Sequence, residues 1–356
     1  MTEPRTPLES EVPNIVGFLN KHLRASHDWS IAAEYPQVFN VNNRQNLRII
    51  GEGENILAHA AIKYLLIKNI LGIFKVAAIG SVVTDPAHRN QGLSHKIMES
   101  CLQSAEQEGA DFAILWTDLY DFYRKMGFEL AGTEHSIVIQ TAPPAVDSGL
   151  KFLKSEKVSP DAILRLYSQH TCGTMRTVDD IRKFLSIPNS RVYTAWNPQN
   201  ELMAYAVEGK GADLKGYVHE WGGGVASLLP LFAHIRRENA APITIIAPLQ
   251  AQNLIRHLKD WDVLSNEGFL GMIRPVNYDN LFFKIRRYAR QMGMNDFVLE
   301  KTEKGFSIGR KDDLATLSSS TELTRLLFGP IAAEQLKPEF QKLFPIPMWV
   351  WGWDSV

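Results

Sequence analysis

The sequence predicts a mixed α/β fold, in which two halves of similar element order precede a small α+β unit. An apolar strand, a proline break, a glycine turn and an amphipathic helix follow one another between residues 77 and 105. A comparable order of strands and helices restarts after residue 150. Between the halves, the Pro- and Gly-containing segment 141–149 is typical of a linker.

The first half begins with a helix predicted at 14–24, because Ile15, Phe18 and Leu19 share one face at helical spacing. Strands are predicted at 47–50 and 56–67, with the Gly-rich turn 51–55 between them. Further strands are predicted at 77–83, 112–116 and 135–139.

The later elements follow the same reasoning. Helices are predicted at 161–168, 179–184, 225–238 and 252–259, and strands at 191–196, 201–208, 215–221 and 243–247. The last part predicts a basic amphipathic helix at 278–291, a hairpin between 296 and 309 and a helix at 320–328. This last unit is too short for a large core of its own and is expected to pack on its neighbours.

Composition excludes several classes of function. The chain has 356 residues, which suggests two or three domains, and its formal net charge of −1 gives no general attraction to nucleic acid or to an anionic membrane. The two cysteines, Cys101 and Cys172, are too few for a disulfide framework and fit a reducing cytoplasm. His and Cys residues do not show metal-ligand spacing, and we expect no metal.

The segment from Gly80 to Ser94 is the most informative part of the chain. Pro86 ends the strand because proline has no N–H to donate, and Gly92 lets a ligand approach the backbone closely. A helix start exposes unpaired N–H groups, which bind phosphate well. This pattern alone also fits an ordinary strand–loop–helix corner.

Two further motifs decide between these interpretations. Arg89 and Gly92 stand as Arg-x-x-Gly with Ser94 following, and Tyr123 precedes the pair Gly127 and Phe128. In these residues the chain resembles the GNAT superfamily of N-acetyltransferases, whose pyrophosphate loop precedes a tyrosine-bearing helix that ends in Gly-Phe. Ser94 replaces the usual Gly or Ala, a mild departure because serine is small and suits a helix start.

The layout of the whole chain is similar to the Eis-type (enhanced intracellular survival) acetyltransferases. The resemblance implies a catalytic GNAT domain at 1–142, a second GNAT-like domain at 150–274 and a small sterol-carrier-protein-like domain at 275–356. The second domain has no Arg-x-x-Gly-x-Gly loop, which predicts that it is inactive, and its glycines 222–224 fit a flexible connection better than a phosphate cradle. The resemblance also implies a homo-oligomer, since Eis-type proteins assemble into hexamers.

The resemblance implies an acetyl-CoA site in the first domain. The strand end would pair with the pantetheine arm, and the loop would hold the pyrophosphate. The residues carried over are Val82, Val83 and Thr84 for the arm and Arg89, Asn90, Gln91, Gly92, Leu93 and Ser94 for the pyrophosphate. Tyr123 falls where the family places its general acid, and Tyr120 is its rival. A phenol suits this role because phenols and thiols titrate within about two pH units of each other.

The general base is left open by the sequence. Asp118, Asp121, Glu34 and His59 are all candidates, and each also fits a surface or capping role. In Eis-type enzymes the terminal carboxylate reaches the active site, which adds Val356. Three tryptophans at 349, 351 and 353 predict that the end of the chain is buried, either as a packed final strand or as a catalytic tail.

The expected acceptor pocket follows the first helix. Its candidate residues are Trp29, Glu34, Tyr35, Phe39 and Asp118, of which the aromatic ones also fit a core. The sequence therefore predicts acetyl-CoA-dependent acetylation of a primary amine on a small molecule or peptide. An acyl-CoA-binding regulatory module without turnover is the alternative, and lipid binding by the last domain is a third hypothesis based on resemblance alone.

Overall fold

The computed structural model describes residues 3–52, 55–144, 148–154, 157–330 and 338–356. Parts of the predicted turn (53–54) and of the predicted linker (145–147) lie outside the described residues. The strands are β1 (Leu47–Glu52), β2 (Asn55–Asn69), β3 (Gly72–Thr84), β4 (Phe112–Leu115), β5 (Glu129–Ile139), β6 (Lys151–Lys154), β7 (Gly173–Thr174), β8 (Arg191–Trp196), β9 (Leu202–Lys210), β10 (Asp213–Gly223), β11 (Ile243–Pro248), β12 (Val263–Pro275), β13 (Phe297–Thr302), β14 (Gly305–Arg310) and β15 (Asp313–Leu317). The helices are α1 (Val12–Leu23), α2 (Ile31–Glu34), α3 (Leu93–Gln107), α4 (Tyr120–Arg124), α5 (Pro160–Tyr167), α6 (Val178–Phe184), α7 (Val225–Glu238), α8 (Gln252–Leu258), α9 (Tyr278–Gln291) and α10 (Ser320–Phe328).

The two halves share one twelve-stranded sheet, which confirms the predicted mixed α/β class. Its order is β1-β2-β3-β4-β12-β5-β11-β10-β9-β8-β6, and β7 pairs separately with β2. A second sheet has the order β13-β14-β15. In each half one neighbouring pair is parallel, β3 with β4 and β10 with β11, and each pair is bridged by a helix, α3 or α7.

Each half contributes one strand to the other. β12 lies between β4 and β5, with Met272 opposite Leu115 and Ile273 opposite Glu129. β5 in turn pairs with β11 of the second half, with Ile139 opposite Ile243. The halves are therefore joined by backbone hydrogen bonds as well as by packing.

The helix after the glycine turn packs as its apolar spacing predicts. Leu93, Ile97, Leu102 and Ala105 of α3 are all buried, and α3 packs against β1, β2 and β3. Burying a leucine or isoleucine side chain stabilises a fold by about 1.5–3 kcal/mol, and these residues therefore fix α3 on the sheet. The start of α3 is thereby held at the carboxyl end of β3.

The last unit packs on the main sheet. Helix α9 packs on β13, and α10 packs on β5 and β12 of the large sheet. The ring of Phe328 on α10 lies 4.9 Å from that of Phe112 on β4. Since β4 borders the predicted cofactor site, the last unit supports the first half directly.

The end of the chain is buried, as its tryptophans predict. Trp349, Trp351 and Trp353 are each no more than 2 % exposed. Indole burial removes about 150–250 Å² of side-chain surface from water per residue, which holds the segment firmly on the protein. Residues 346–351 form no strand, and a single short 3₁₀ turn follows at Gly352–Asp354. The end of the chain is therefore packed without being a strand, and its catalytic role stays a prediction.

No helix among the described residues combines the length and the apolar character needed to cross a membrane. Within the same residues, no cluster of three or more His, Cys, Asp or Glu side chains is placed to hold a metal ion.

Candidate active site

A slot opens in the sheet between β3 and β4. The two parallel strands pair from Val76 with Phe112 to Ala78 with Ile114, after which β3 continues to Thr84 while β4 ends at Leu115. Peptide groups of β3 on this side are therefore available to a ligand. The predicted pantetheine residues, Val82, Val83 and Thr84, lie on this part of β3.

Residues 85–92 connect β3 to α3 and form the predicted phosphate loop. Asn90 and Gly92 both have left-handed backbone conformations, with φ of 63° and 76°. Gly92 is the N-cap of α3, and a methyl group added there would have no atom of the described residues within 4 Å. The start of α3 thus lines the cleft with open space at Gly92, and a helix start carries unpaired N–H groups that suit phosphate binding.

Ser94 has a structural role that explains its presence at this position. Its hydroxyl lies 2.8 Å from the hydroxyl of Thr84 at the end of β3, and either can donate. This hydrogen bond joins the first turn of α3 to the strand. A glycine or alanine at 94 would lack it.

The slot and the loop line a single cleft of about 570 Å³. The predicted cofactor residues that line it are Val82, Val83, Thr84, Arg89, Asn90, Gly92, Leu93 and Ser94. Gln91 is exposed and is not part of the lining. The lining residues that the sequence did not indicate are His22, Leu23, His88, His95, Leu119 and Phe122. His88 and His95 flank the loop in sequence, and their positions alone make them candidates for the cofactor site. His22 and Leu23 belong to α1, and it is the tertiary fold that brings them to the cleft.

Tyr123 lies in the wall of the same cleft, near the start of α3. It is 6 % exposed and packs edge-on against Phe122 and Phe128, at centroid distances of 4.9 and 6.0 Å. Among the described residues, its hydroxyl has no hydrogen-bond partner. Burial, with a smaller contribution from Cys101, raises the pKa of Tyr123 to about 12. The phenol therefore stays protonated at neutral pH and has its donor free.

Tyr120, the rival candidate, begins α4 and is 41 % exposed. It does not line the cleft. The structure thus places Tyr123, and not Tyr120, beside the loop.

The end of the chain meets β3 beside the slot. A methyl group added to Gly80 would lie 2.5 Å from the carbonyl carbon of Val356 and 2.7 Å from its oxygen. Ser81 follows with φ of 51°, within the irregular register between β2 and β3. The side chain of Val356 packs against the cluster that contains Phe39 and Val83. Val83 also lines the cleft and so links it to the tail, although Val356 itself is not among the residues that line the cleft.

His59 lies on β2 opposite Val83 and is fully buried. Its Nδ1 donates to the carbonyl of Ser81 at 2.9 Å, and its Nε2 has no partner among the described residues. Burial lowers the pKa of His59 to about 4, which makes it a weak base at neutral pH.

Most of the predicted acceptor residues form a joint between the halves. Glu34 is fully buried, and its carboxylate accepts from the Trp29 indole, the Arg24 guanidinium and the backbone N–H of Ala212. The Tyr35 hydroxyl donates to Asp213 of β10 at 2.5 Å. Both oxygens of Glu34 are engaged, and the prediction that it attracts the amine is therefore not supported by its surroundings.

The remaining candidates lie apart from one another. Phe39 is buried, with its ring 6.0 Å from that of His59. Asp118 is exposed in the loop after β4, and Asp121 is exposed on α4, where it accepts from Arg124 at 3.1 Å. Of the acceptor candidates, Phe39 belongs to the cluster that contains Val83, and Tyr35 packs against this cluster as Val356 does.

Comparison with known proteins agrees with this geometry. Residues 22–131 match the family model described as an acetyltransferase (GNAT) domain. No curated protein matches the chain. The chain is similar to a solved probable N-acyltransferase from Enterococcus faecalis V583, a conserved protein of unknown function, with 13 % identity, a TM-score of 0.61 and coverage of 94 % of this chain and 92 % of that one.

Two further solved structures are similar over most of their length. A GCN5-related N-acetyltransferase from Anabaena variabilis has 15 % identity and a TM-score of 0.62, with 90 % of this chain and 84 % of that one covered. Eis1 from Mycobacterium abscessus has 12 % identity and a TM-score of 0.57, with 89 % and 85 % covered. At these identities the likeness establishes the fold. The chain thus has the fold of the GNAT acetyltransferases, and its residues 22–131 match their acetyltransferase domain.

Proposed function

We propose that this protein is an N-acetyltransferase that transfers the acetyl group of acetyl-CoA to a primary amine. The observation on which the proposal rests is the single cleft that combines the open edge of β3, the start of α3 and Tyr123. Fold alone does not define an activity, because the same fold can hold many sites. Here the arrangement supplies a phosphate cradle, a peptide-like edge and a proton donor within one cavity.

The cofactor would lie with its pyrophosphate at the loop 89–94 and its pantetheine arm along 82–84. The amides of the arm resemble peptide groups, and the edge of β3 can bond to them as a neighbouring strand would. Arg89 is exposed beside the loop and adds a positive charge for the phosphates. This orientation directs the thioester towards Gly80 and Ser81, where the tail ends.

The reaction requires two proton transfers. The amine nitrogen attacks the thioester carbonyl, the new C–N bond forms and the C–S bond breaks. A base takes the proton from the amine nitrogen, and Tyr123 gives its phenolic proton to the departing sulfur. Burial raises the pKa of the nearby Cys101 thiol to about 12, in parallel with that of Tyr123.

We further propose the terminal carboxylate of Val356 as the base, in a chain that ends at this residue. It lies against Gly80, next to the irregular stretch of β3. The competing candidates are less suited to the role. Glu34 is already paired, Asp118 and Asp121 are exposed, and burial lowers the pKa of His59 to about 4.

The acceptor would approach from the α1–α2 side, where Phe39 packs beside the tail. An amine on a small molecule or a peptide fits this geometry. We propose three domains, at 1–142, 150–274 and 275–356. Strand β5 of the first pairs with β11 of the second, and β12 of the second pairs with β4 and β5 of the first.

The test is release of CoA thiol from acetyl-CoA with a panel of primary amines, preceded by a thermal shift with acetyl-CoA. Turnover with at least one amine is expected. Stabilisation by acetyl-CoA without turnover on any amine would support the acyl-CoA-binding module instead. If acetyl-CoA gives no shift and no turnover, both proposals fail.

A further inference from the structure

The second half lacks the long loop that lines the cleft of the first half. Only Gly224 separates β10 from α7, whereas residues 85–92 separate β3 from α3. The parallel strands β10 and β11 pair at Tyr217 and Val218 and then part, as β3 and β4 do. In this second opening the indole of Trp221 donates to the carbonyl of Ile246 on β11 at 3.1 Å. The Trp221 side chain thus bridges the two strands where a pantetheine arm would pair, and it lines a cavity of about 240 Å³, smaller than the cleft of the first half.

The end of the chain packs on the side chain that bridges this opening. The Trp351 ring meets that of Trp221 edge-on at 4.9 Å and lies 4.2 Å from that of His170. Its indole donates to the carbonyl of Cys172 at 3.3 Å. Further along the tail, Trp353 stacks on Phe184 at 5.5 Å. The tail therefore occupies a groove made by the second half.

Two buried basic side chains of the second half bind the same segment. Arg176 is 1 % exposed and donates to Asp354 at 2.7 Å and to Glu220 at 2.8 Å. Glu220 also accepts from the Tyr205 hydroxyl at 3.0 Å. Arg176 is therefore held by the second half on one side and holds the tail on the other.

Lys210, at the end of β9, is the second basic side chain; it is 1 % exposed, and burial lowers its pKa to about 7. Its Nζ donates to the carbonyls of Gly352, at 2.9 Å, and Ser355, at 2.6 Å. A third carbonyl, that of Trp353, lies 3.4 Å away. An ammonium group has three donors, and the acceptors around this one all belong to the tail, because the Ser355 hydroxyl also accepts from Nζ, at 3.1 Å.

The backbone of the tail also lies close against the second half at Gly352. A methyl group on Gly352 would overlap the imidazole of His219 on β10. Apolar burial holds a segment down but does not fix its position along a surface, whereas directional hydrogen bonds do. Val356, the next residue after those bound by Lys210, lies at Gly80 of the first half.

We propose that the second half is a receptor for the segment 349–355, and that Arg176 and Lys210 are positioning residues that place Val356 at Gly80. The effect on catalysis rests on the proposed function. The binding of the tail by the second half does not depend on that function, because it follows from the contacts of the tail alone. The half without a cofactor cleft would then set the activity of the half that has one.

The test compares Lys210→Met with Lys215→Met, whose lysine is exposed on β10. The first readout is the rate at which a carboxypeptidase releases residues from the folded chain. We expect release to be at least about tenfold faster in Lys210→Met, because local opening no longer has to break the bonds to Lys210. Lys215→Met should match the wild type. A folded Lys210→Met chain whose tail is as resistant as that of the wild type would overturn the proposal.

The second readout is kinetic. In Lys210→Met, kcat should fall by about tenfold or more, while the KM for acetyl-CoA changes less than about twofold, because a displaced catalytic group costs rate and not cofactor affinity. If Lys210 has only a structural role, the folded Lys210→Met protein will keep the kcat of the wild type. That result would contradict the proposal that Lys210 positions a catalytic group. If the wild type itself shows no turnover, the carboxypeptidase result still decides whether the second half holds the tail.

Gly352→Ala provides an independent variant if Lys210→Met does not fold. It should also expose the tail, since the new methyl would meet His219. Gly17→Ala is its control, because a methyl at Gly17 of α1 meets no atom of the described residues within 4 Å. Equal tail resistance in Gly352→Ala and Gly17→Ala would count against the receptor proposal.

Discussion

Gly80 and Val356 lie in contact across about 276 positions of sequence, and a side chain on Gly80 would occupy the place of the Val356 carboxyl group. The three atoms nearest to a methyl group at Gly80 all belong to Val356. The absence of a side chain at this point of β3 is thus what admits the tail. Because Val82–Thr84 of the same strand line the cleft, β3 connects the cofactor site to the end of the chain.

Gly80→Ala should therefore displace the Val356 carboxyl group and leave the cofactor site formed. We expect kcat to fall by about a hundredfold, since a displacement near 1 Å is enough for such a loss. The dissociation constant of acetyl-CoA should remain close to that of the wild type. Gly17→Ala serves as the control for a glycine substitution. Unchanged kcat in Gly80→Ala would remove Val356 from the mechanism.

Tyr123→Phe should lower kcat by roughly a hundredfold or more, the usual contribution of a general acid. The ring packing on Phe122 and Phe128 is kept, which leaves folding and acetyl-CoA affinity close to wild type. The exposed Tyr120→Phe is the matched control. If Tyr120→Phe loses activity and Tyr123→Phe does not, the assignment of the acid is reversed.

Gly92→Ala should weaken acetyl-CoA binding by about tenfold, because a methyl group would stand where the phosphates approach α3. Gly109 is an unusually close control. It follows the other end of α3, has φ of 70° against 76° for Gly92, and likewise has free space among the described residues where a methyl group would lie. Both variants incur the same backbone strain. Equal acetyl-CoA affinities in the two would show that the loop does not bind the phosphates.

The stability of the protein should depend on the protonation of Glu134. Burial raises the pKa of this carboxyl to about 7 in the folded chain, from an ordinary value of 4.5. Between these pH values the folded state binds more protons than the unfolded state, and stability therefore decreases as pH rises from 4.5 to 7. Glu134→Gln removes this contribution. Its melting temperature should fall less than that of the wild type over this range, and parallel curves would contradict the assignment.

The local features of the site could be predicted from the sequence, because they depend on neighbouring residues. The glycine turn at 92, the apolar face of α3 and the position of Tyr123 before Gly127 and Phe128 are of this kind. Burial of the tail was also predictable, since three indoles in a short segment are costly to leave in water.

The contacts that join distant segments could not be predicted in the same way. The insertion of β12 between β4 and β5 depends on which strand edges are free once both halves have formed. The hydrogen bond between Arg176 and Asp354 spans 178 positions of sequence. The residues around each of them in the sequence do not distinguish it from a charged residue on the surface. The sequence indicates Glu34 as a candidate for amine binding. In the structure it pairs with Arg24 and belongs to the contact between the two halves.

The central claim is that the chain holds one acyl-CoA site, in the first half. Calorimetric titration of the wild type with acetyl-CoA tests it most directly, with Gly92→Ala and Gly109→Ala titrated alongside. The expected result is a stoichiometry near one per chain, with affinity reduced in Gly92→Ala and kept in Gly109→Ala. Absence of binding, a stoichiometry near two, or full affinity in Gly92→Ala would contradict the claim.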